Sequence, residues 1–298
     1  MIKISHKQKS EIFWGLLMIA PVTIGLIIFY FYPFIRVIRD SFHNIGSFDR
    51  DLGFVGLDNY IQMFNDKEMW QTLLNTCEYV VIIVPLSLAF ALLIAVLLNT
   101  KVKGLSFFRV IYFIPAITMS VAVSMVWKWM FNGDYGILNS LMTLLGFEPR
   151  LWLNDKSTAL LCICIVTIWS NVGYYMIILL AGIQGISKVY YEAADIDGAT
   201  SFQKFYKITL PSLSPTIFYV VIMLIISTFQ TFDGIYLMIG TKSNAIKWTQ
   251  SVVMYFYRTA FDYSKKGYAS AIAVLLFAII MGITAFQMRI QKKWVNYD

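Results

Sequence analysis

The chain has 298 residues, of which 58% are hydrophobic and 14% are charged, and its mean hydropathy is +0.67. A soluble domain carries about a quarter charged residues, so this composition excludes the soluble globular class. The apolar residues lie in blocks of about 20, the length of helix that crosses the hydrocarbon of a bilayer. We predict an all-α polytopic membrane protein, whose formal net charge of +7 reflects topology and not a nucleic-acid partner.

Six apolar blocks predict six transmembrane helices within one domain that covers residues 1–298. The first block is longer than the core of a secretory signal and lacks a small-residue cleavage site, so we interpret it as a retained span. The polar segment 36–75 predicts one or two amphipathic helices over the mouth of the bundle, and Pro115 predicts a bend in the third span. The predicted spans are about 13–34, 76–98, 107–131, 158–183, 213–239 and 267–290.

The most informative segment, at about 186–212, connects the fourth and fifth spans. Residues 188–196 are rich in helix formers and predict a short surface helix. Gly198 follows, and a glycine permits a turn with positive φ that other residues adopt only with strain. Ser201 is predicted to cap a second short helix. Leu210 and Pro211 are predicted to end that helix.

Pro211 and Pro215 suit the first turn of the fifth span, where a missing backbone N–H leaves no hydrogen bond unmade. The loop is therefore predicted to continue rigidly into that span. Two short helices joined at a glycine and continuous with a span form a lever. A force on the loop would move the span.

The sequence of this segment resembles that of the cytoplasmic EAA loop in the membrane subunits of binding-protein-dependent ABC importers, at about ten positions of fixed spacing. The longer sequence around these positions is similar to that of the maltose-type carbohydrate permeases, and the similarity covers roughly residues 10–293. The family usually has a proline where this chain has Ser187, which predicts a less rigid entry to the loop. The matching residues are Glu192, Ala193, Ala194, Asp197, Gly198, Ala199, Phe205, Ile208, Leu210 and Pro211.

The resemblance implies the type I permease fold of ABC importers and a loop that sits in a cleft on an ATP-hydrolysing subunit. ATP and Mg²⁺ would be used by that partner, and this chain would bind no cofactor. The other implied partners are a second homologous permease subunit, a second copy of the ATP-binding subunit and an extracytoplasmic solute-binding protein. The residues implied to couple the chain to the ATPase are Glu192, Ala193, Ala194, Asp197, Gly198 and Ala199.

The distribution of cations orients the predicted bundle. Six spans place both termini and the EAA loop on one side, where twelve cations fall in roughly 60 residues, against the remaining twelve in roughly 100 residues on the other side. The positive-inside rule then predicts both termini in the cytoplasm of a bacterial cell and the chain in its inner membrane. The twelve cations are Lys3, Lys7, Lys9, Lys101, Lys103, Arg109, Lys188, Lys204, Lys207, Arg289, Lys292 and Lys293.

Ionisable side chains are nearly absent from the middle of the predicted spans, which argues against a proton relay and suits a neutral, hydroxyl-rich solute. Two clusters on the fourth and fifth spans combine the amides, hydroxyls and aromatic rings that bind sugars. The fourth-span cluster includes Trp169. These groups could instead hold helices together. The predicted substrate-binding residues, most of them at sugar-contacting positions implied by the resemblance, are Ser170, Asn171, Tyr174, Ser227, Thr228, Gln230 and Thr231.

The sequence offers no catalytic or metal-binding constellation. Its two histidines, His6 and His43, lie outside the predicted spans, its three cysteines are interpreted as packing residues, and it lacks a P-loop. We therefore predict a non-catalytic permease subunit, in contact with membrane lipid, of an ATP-driven importer for an oligosaccharide or glycoside. The alternatives are an ABC permease for an amino acid, peptide or phosphate, a self-sufficient secondary carrier or channel, and a membrane enzyme such as a lipid-linked glycosyltransferase.

Overall fold

The computed structural model describes residues 6–99 and 104–295. Lys3, Lys101 and Lys103 of the predicted cytoplasmic cations lie outside these ranges. The chain divides into two compact units, here unit 1 (Met1–Asn65 and Thr259–Leu275) and unit 2 (Asp66–Arg258 and Leu276–Asp298). The single domain expected from the sequence stays a prediction.

Within the described residues, four helices are long and apolar enough to cross a membrane, and two bent helix pairs raise the number to six if each pair is one span. The bends measure 94° and 66°. The predicted polytopic helical fold is confirmed. The four helices are Glu11–Asp40, Lys67–Leu98, Ala159–Gln184 and Lys266–Lys293, and the bent pairs are Leu105–Ile117 with Ser120–Met130 and Ser201–Ser212 with Ser214–Phe229.

Unit 1 contains a small antiparallel sheet beside its helices. His43 pairs with Phe54 and Ile45 with Asp51, in a segment where the sequence predicted only amphipathic helices. The turn between the strands places Phe48 at a positive φ of 57°, a conformation that sequence patterns seldom signal outside glycine. The elements are α1 (His6–Leu26), α2 (Tyr32–Asp40), β1 (His43–Ile45), β2 (Asp51–Phe54), α3 (Asp58–Asn65) and the first turns of α15 (Lys266–Ile290).

Polar contacts close this hairpin. The buried amide of Asn59 donates to the carbonyls of Ser41 and His43, at 2.9 and 3.0 Å. Lys266 Nζ lies 2.6 Å from a carboxylate oxygen of Asp49. That hydrogen bond and the lysine charge lower the pKa of the Asp49 carboxyl, so the contact persists at neutral pH.

Unit 2 holds the remaining helices around two clusters of buried apolar side chains. The first cluster includes Tyr79 and Ile163, and the second includes Leu179 and Leu224. Helix α8 packs against α4, α5 and α12 and is the centre of the unit. The elements are α4 (Lys67–Leu98), α5 (Leu105–Ile117), α6 (Ser120–Met130), α7 (Ile137–Leu144), α8 (Ala159–Gln184), α9 (Lys188–Ile196), α10 (Ser201–Lys204), α11 (Leu210–Ser212), α12 (Ser214–Phe229), α13 (Ile246–Thr249), α14 (Val252–Tyr257) and the end of α15.

Helix α4 begins at Lys67, nine residues before the start expected from hydropathy. The side chain of Asp66 caps it by accepting the backbone N–H of Glu68 at 2.8 Å. Its first turns are polar because they bind loop carbonyls and not lipid: Asn75 donates to the carbonyl of Gln250 at 3.1 Å, and Tyr79 to that of Thr249 at 2.7 Å. Part of the segment 36–75, which was expected to form separate amphipathic helices, is thus the N-terminal end of this long helix.

The loop between α6 and α8 is organised by one buried amide. Asn139 donates to the carbonyls of Gly133 and Arg150 and accepts from the N–H of Arg150 and the indole N–H of Trp152, all at 2.7–3.0 Å. Asn139 lies on α7, and these four bonds join the segments before and after that helix. The amide satisfies buried backbone groups that would otherwise lack partners.

Asn139→Ala is expected to destabilise this loop by roughly 2–4 kcal/mol, because it leaves several buried polar groups without hydrogen bonds. Limited proteolysis should then cleave within 132–158 much faster than in the wild type. Ser140→Ala, which removes one exposed hydroxyl that bonds the Gly136 carbonyl at 3.2 Å, is the matched control. Equal cleavage rates for all three proteins would show that the amide does not organise the loop.

Candidate functional site

A cavity of about 420 Å³ lies in unit 2, between α8, the α5–α6 break and the end of α12. All seven predicted substrate-binding residues line it, so residues from two distant parts of the sequence meet at one surface. Whether they bind a solute stays a prediction. The lining residues are Pro115, Ala116, Thr118, Ser120, Val123, Ser124, Val166, Thr167, Ser170, Asn171, Tyr174, Tyr175, Ser227, Thr228, Gln230, Thr231, Phe232, Asp233 and Gly234.

The third predicted span contributes a wall that the sequence analysis missed. It breaks after Ile117 and turns by 94° into α6, two residues beyond the bend expected at Pro115. The break brings Thr118, Ser120 and Ser124 to the cavity. A proline followed by closely spaced hydroxyl residues was the available signal.

Close backbone contact fixes this wall against α8. Gly173 lies directly against the carbonyl group of Tyr112 on α5, and a Cβ at Gly173 would also come within 3.1 Å of the Phe113 Cα. Glycine is required because no side chain fits between the two backbones. The contact places Asn171 and Tyr174 opposite the α5–α6 break.

The fifth predicted span does not run unbroken to residue 239. Helix α12 ends at Phe229, residues 231–232 are not helical, and a π-helical turn covers Ile235–Ile239. The hydroxyl of Ser251 donates to the carbonyl of Thr231 at 2.5 Å, which satisfies a backbone group freed by the break. The interruption therefore points polar side chains and backbone into the cavity.

Several lining groups have unused hydrogen-bonding capacity. Thr228 is 1% exposed, and its hydroxyl has no partner within the described residues. The side chains of Ser170, Asn171 and Gln230 likewise make no hydrogen bond to residues 6–99 or 104–295. Such groups suit a polar solute or water, because an unpaired buried hydroxyl is unfavourable.

One member of the predicted cluster does not line the cavity. Trp169 packs edge-to-face on Trp127, with ring centroids 5.6 Å apart, and so joins α8 to α6. Trp169 therefore fits the alternative interpretation, in which a member of the cluster holds helices together. Aromatic lining comes instead from Tyr174, Tyr175 and Phe232.

The chemistry of the lining is polar and almost uncharged. It combines hydroxyls, two amides and aromatic rings, and Asp233 is its one formally charged member. No group of three or more His, Cys, Asp or Glu that could hold a metal ion occurs within 6–99 and 104–295. The lining can hydrogen-bond a solute and stack on it, and no lysine or arginine belongs to it.

The loop between α8 and α12 has a rigid turn at Gly198. Its φ is +71°, and the N–H of Ala199 donates to the carbonyl of Ala194 at 2.9 Å, ending α9. Thr200 then caps α10 through a reciprocal pair of bonds with Gln203. The predicted positive φ is confirmed, whereas the expected cap at Ser201 is wrong by one residue.

The second loop helix ends at Ser212, one residue beyond the end expected at Leu210–Pro211. The chain stays helical through α11 and bends by 66° into α12. Pro215 lies in the first turn of α12, where its missing N–H leaves no bond unmade. An ion pair of Lys204 with Asp195 joins α10 to α9.

The outer surface of this loop is solvent-exposed. Glu192, Ala193, Asp197 and Gly198 are exposed, and Ala194 and Ala199 are half-buried. Apolar side chains flank them: Ile196 is 88% exposed, and the rings of Phe202 and Tyr206 stack in the open at 6.1 Å. Exposed large apolar groups of this kind mark a surface that another protein covers. The coupling roles of the six loop residues stay predictions.

The chain resembles known proteins over its whole length. The family model described as "Binding-protein-dependent transport system inner membrane component" matches residues 67–296. Probable ABC transporter permease protein YesP of Bacillus subtilis is 36% identical over 300 residues, which cover 100% of this chain and 96% of that protein. Sulfoquinovosyl glycerol transport system permease protein SmoG of Agrobacterium fabrum is 35% identical over 278 residues, 93% of this chain and 89% of that protein.

A further relative and a solved structure agree with these matches. Trehalose/maltose transport system permease protein MalF of Thermococcus litoralis is 31% identical over 93% of both chains. A chain of a bacterial ABC transporter involved in the import of the acidic polysaccharide alginate has a TM-score of 0.88, covering 97% of this chain and 99% of that chain at 19% identity, which shows a shared fold. The resemblance carried by residues 190–215 is confirmed, and the chain belongs to the inner-membrane permease components of binding-protein-dependent ABC transport systems.

Proposed function

We propose that this permease forms the path by which an ATP-driven importer takes up a saccharide, either an oligosaccharide or a glycoside. One observation carries the proposal: the cavity is lined by hydroxyls, amides and aromatic rings, the groups that bind sugar hydroxyls and C–H faces. Relatives named for sulfoquinovosyl glycerol and for trehalose and maltose support it. A permease for phosphate or an amino acid would need a cation for the anionic group, and the lining has none.

The partners follow from the same family. We propose that the chain pairs with a second, homologous permease, that two ATP-binding subunits dock on the EAA loops, and that an extracytoplasmic solute-binding protein delivers the saccharide. A solved relative of the same fold was determined in complex with a periplasmic protein that carries an alginate pentasaccharide. The chain would bind no cofactor itself, since ATP and Mg²⁺ belong to the docked subunits.

The orientation completes this arrangement. Both termini and the loop that contains Gly198 would face the cytoplasm, because the ATP-binding subunits must reach the loop there. The higher density of lysine and arginine on the same side supports this orientation.

The proposed mechanism is alternating access. Closure of the ATP-binding subunits would push on α9 and α10, and their rigid connection to α12 would tilt the span that ends at the cavity. The chain performs no chemistry: its lining exchanges hydrogen bonds with the solute, and the free energy comes from the partner.

Removing the unpaired hydroxyl tests this function. Thr228→Val, in the complete complex reconstituted in proteoliposomes, is expected to lower ATP-dependent saccharide uptake by roughly 3- to 10-fold, because the hydroxyl, buried in this state, would meet solute as the cavity opens, and that hydrogen bond is worth about 1 kcal/mol. Folding should be unaffected, since valine has the same shape and needs no partner. Uptake and thermal unfolding of the complex are the measurements.

Thr72→Val is the matched control. Thr72 is also fully buried with a hydroxyl that has no partner in the described chain, but it does not line the cavity. Its replacement should leave uptake unchanged. Equal uptake by wild type and Thr228→Val, or uptake that proceeds without ATP, would contradict the proposal.

A further inference from the structure

The wall of the cavity carries one unbalanced charge, on Asp233. Asp233 follows the interruption of α12 and begins the turn that leads into Ile235–Ile239. Its side chain is exposed to the cavity, and no ion pair or hydrogen bond of its carboxylate to another residue of 6–99 or 104–295 is present. The carboxylate is therefore available to whatever enters.

Two cationic side chains on neighbouring elements line a different space. Lys128 and Lys242 belong to a second cavity of about 710 Å³, which is bounded by the far ends of α6 and of the π-helical turn. Lys128 Nζ lies 3.3 Å from the carbonyl of Leu237, so its charge is directed to the backbone. Neither lysine is a lining residue of the cavity that contains Asp233.

A fixed carboxylate on the cavity wall opposes anions and attracts cations. At a separation of about 6 Å, the interaction with a second unit charge changes occupancy by about 3-fold at the dielectric constant of water and by about 100-fold at an effective value near 20, and the exposed Asp233 falls between these limits. A neutral sugar hydroxyl, in contrast, can donate a hydrogen bond to the same oxygen. The carboxylate thus discriminates between neutral and anionic solutes, whereas the hydroxyls and amides of the lining can hydrogen-bond both.

We propose that Asp233 is a specificity-determining residue, which makes this permease accept uncharged saccharides and reject carboxylated or sulfonated ones. This inference rests on the proposed function and names its substrate class more narrowly. Membership of the family does not decide the matter, because relatives in it differ in the charge of the solutes for which they are named. The carboxylate of Asp233, and not membership of the family, sets the charge of the saccharide in this proposal.

A purely structural role for Asp233 makes a different prediction. An acidic residue in the first turn of a helix is favoured by the helix dipole, and its loss would then reduce stability and lower the entry of every solute equally. A specificity role predicts a change in the ratio between anionic and neutral probes. The ratio is therefore the quantity to measure.

The test places a reporter thiol beside the carboxylate. Thr231→Cys, in a Cys77→Ser background and in the intact complex in nanodiscs, is treated with anionic sulfonatoethyl, cationic trimethylammonioethyl and neutral glucosyl methanethiosulfonates. Rates are divided by those of a small free thiol. We expect the anionic reagent to react at least about 10-fold more slowly than the cationic one after this correction, with the glucosyl reagent between them.

Asp233→Asn should bring the corrected rates of the three reagents within about twofold of one another. Asp233→Ser is the second variant, because serine is also favoured at helix starts and keeps the fold testable. Glu148→Gln removes the same charge from an exposed position outside the cavity and should leave the ratio as in the wild type.

Two results would overturn the inference: equal corrected rates in the wild type, or a cation preference that survives in both Asp233 variants. Failure of the proposed function gives a different pattern. If the chain is not part of a saccharide path, the complex shows no ATP-dependent saccharide uptake and the glucosyl reagent does not react at position 231, whatever the ratio of the rates of the two charged reagents.

Discussion

Gly173→Ala is expected to destabilise the protein by at least about 3 kcal/mol and to abolish most uptake, because the added methyl group would overlap the backbone of Tyr112. A backbone carbonyl inside a helix cannot move aside as a flexible side chain can. The two helices must separate, and the α5–α6 break would move away from α8. Thermal unfolding of the purified complex should show a midpoint lower by roughly 5–10 °C.

Gly282→Ala is the control for this substitution. Gly282 is also within a membrane-spanning helix, but a Cβ there would meet nothing within 4 Å. It should behave as the wild type in both assays. A Gly173→Ala protein with a wild-type midpoint and normal uptake would show that α5 and α8 do not touch at this position.

Gly198→Val should leave the protein folded in the membrane and still uncouple it from its ATP-binding subunits. A Cβ at Gly198 would meet no atom within 4 Å, so the effect comes only from the φ of +71°. A β-branched residue at such a φ is unfavourable by roughly 1–2 kcal/mol or more, and α9 and α10 would reorient to relieve the strain. Copurification of the ATP-binding subunits and ATP-dependent uptake should both fall at least about 10-fold.

A graded series separates backbone strain from loss of a contact. Gly198→Asn should retain most coupling, because asparagine tolerates positive φ, and Gly198→Ala should be intermediate. Gly146→Val introduces the same strain at a φ of +83°, again with open space around it, but in the loop after α7. Normal assembly of Gly198→Val, or equal loss in the Gly146 variant, would remove the turn from the coupling mechanism.

Much of the site was predictable because it depends on local chemistry. A glycine between two short helices predicts a turn with positive φ, and Gly198 adopts it. Polar residues at helical spacing within apolar spans predict a common face, and Ser170, Asn171 and Tyr174 share one cavity. The first inference needs only local backbone chemistry, and the second also used the sugar-contacting positions implied by the resemblance to the maltose-type permeases.

Other features depend on contacts between distant parts of the chain. The hydropathy pattern predicted a start of α4 that was too late, because the first turns of the helix are polar. These turns bind the carbonyls of Thr249 and Gln250, which lie 170 to 175 residues away in the sequence. The cap by Asp66 was the local signal that was not used. The size of the bend beyond Pro115 likewise depends on how α5 packs against α8.

The most direct test of the mechanism measures from which side of the membrane a thiol reagent reaches the cavity. A thiol at position 231 should react from the cytoplasmic side of vesicles in the absence of nucleotide, and from the opposite side when the docked subunits bind a non-hydrolysable ATP analogue. Gly198→Val should abolish this exchange. Accessibility that does not change sides when nucleotide binds would contradict the conclusion that the loop transmits the motion of an ATPase to a saccharide path.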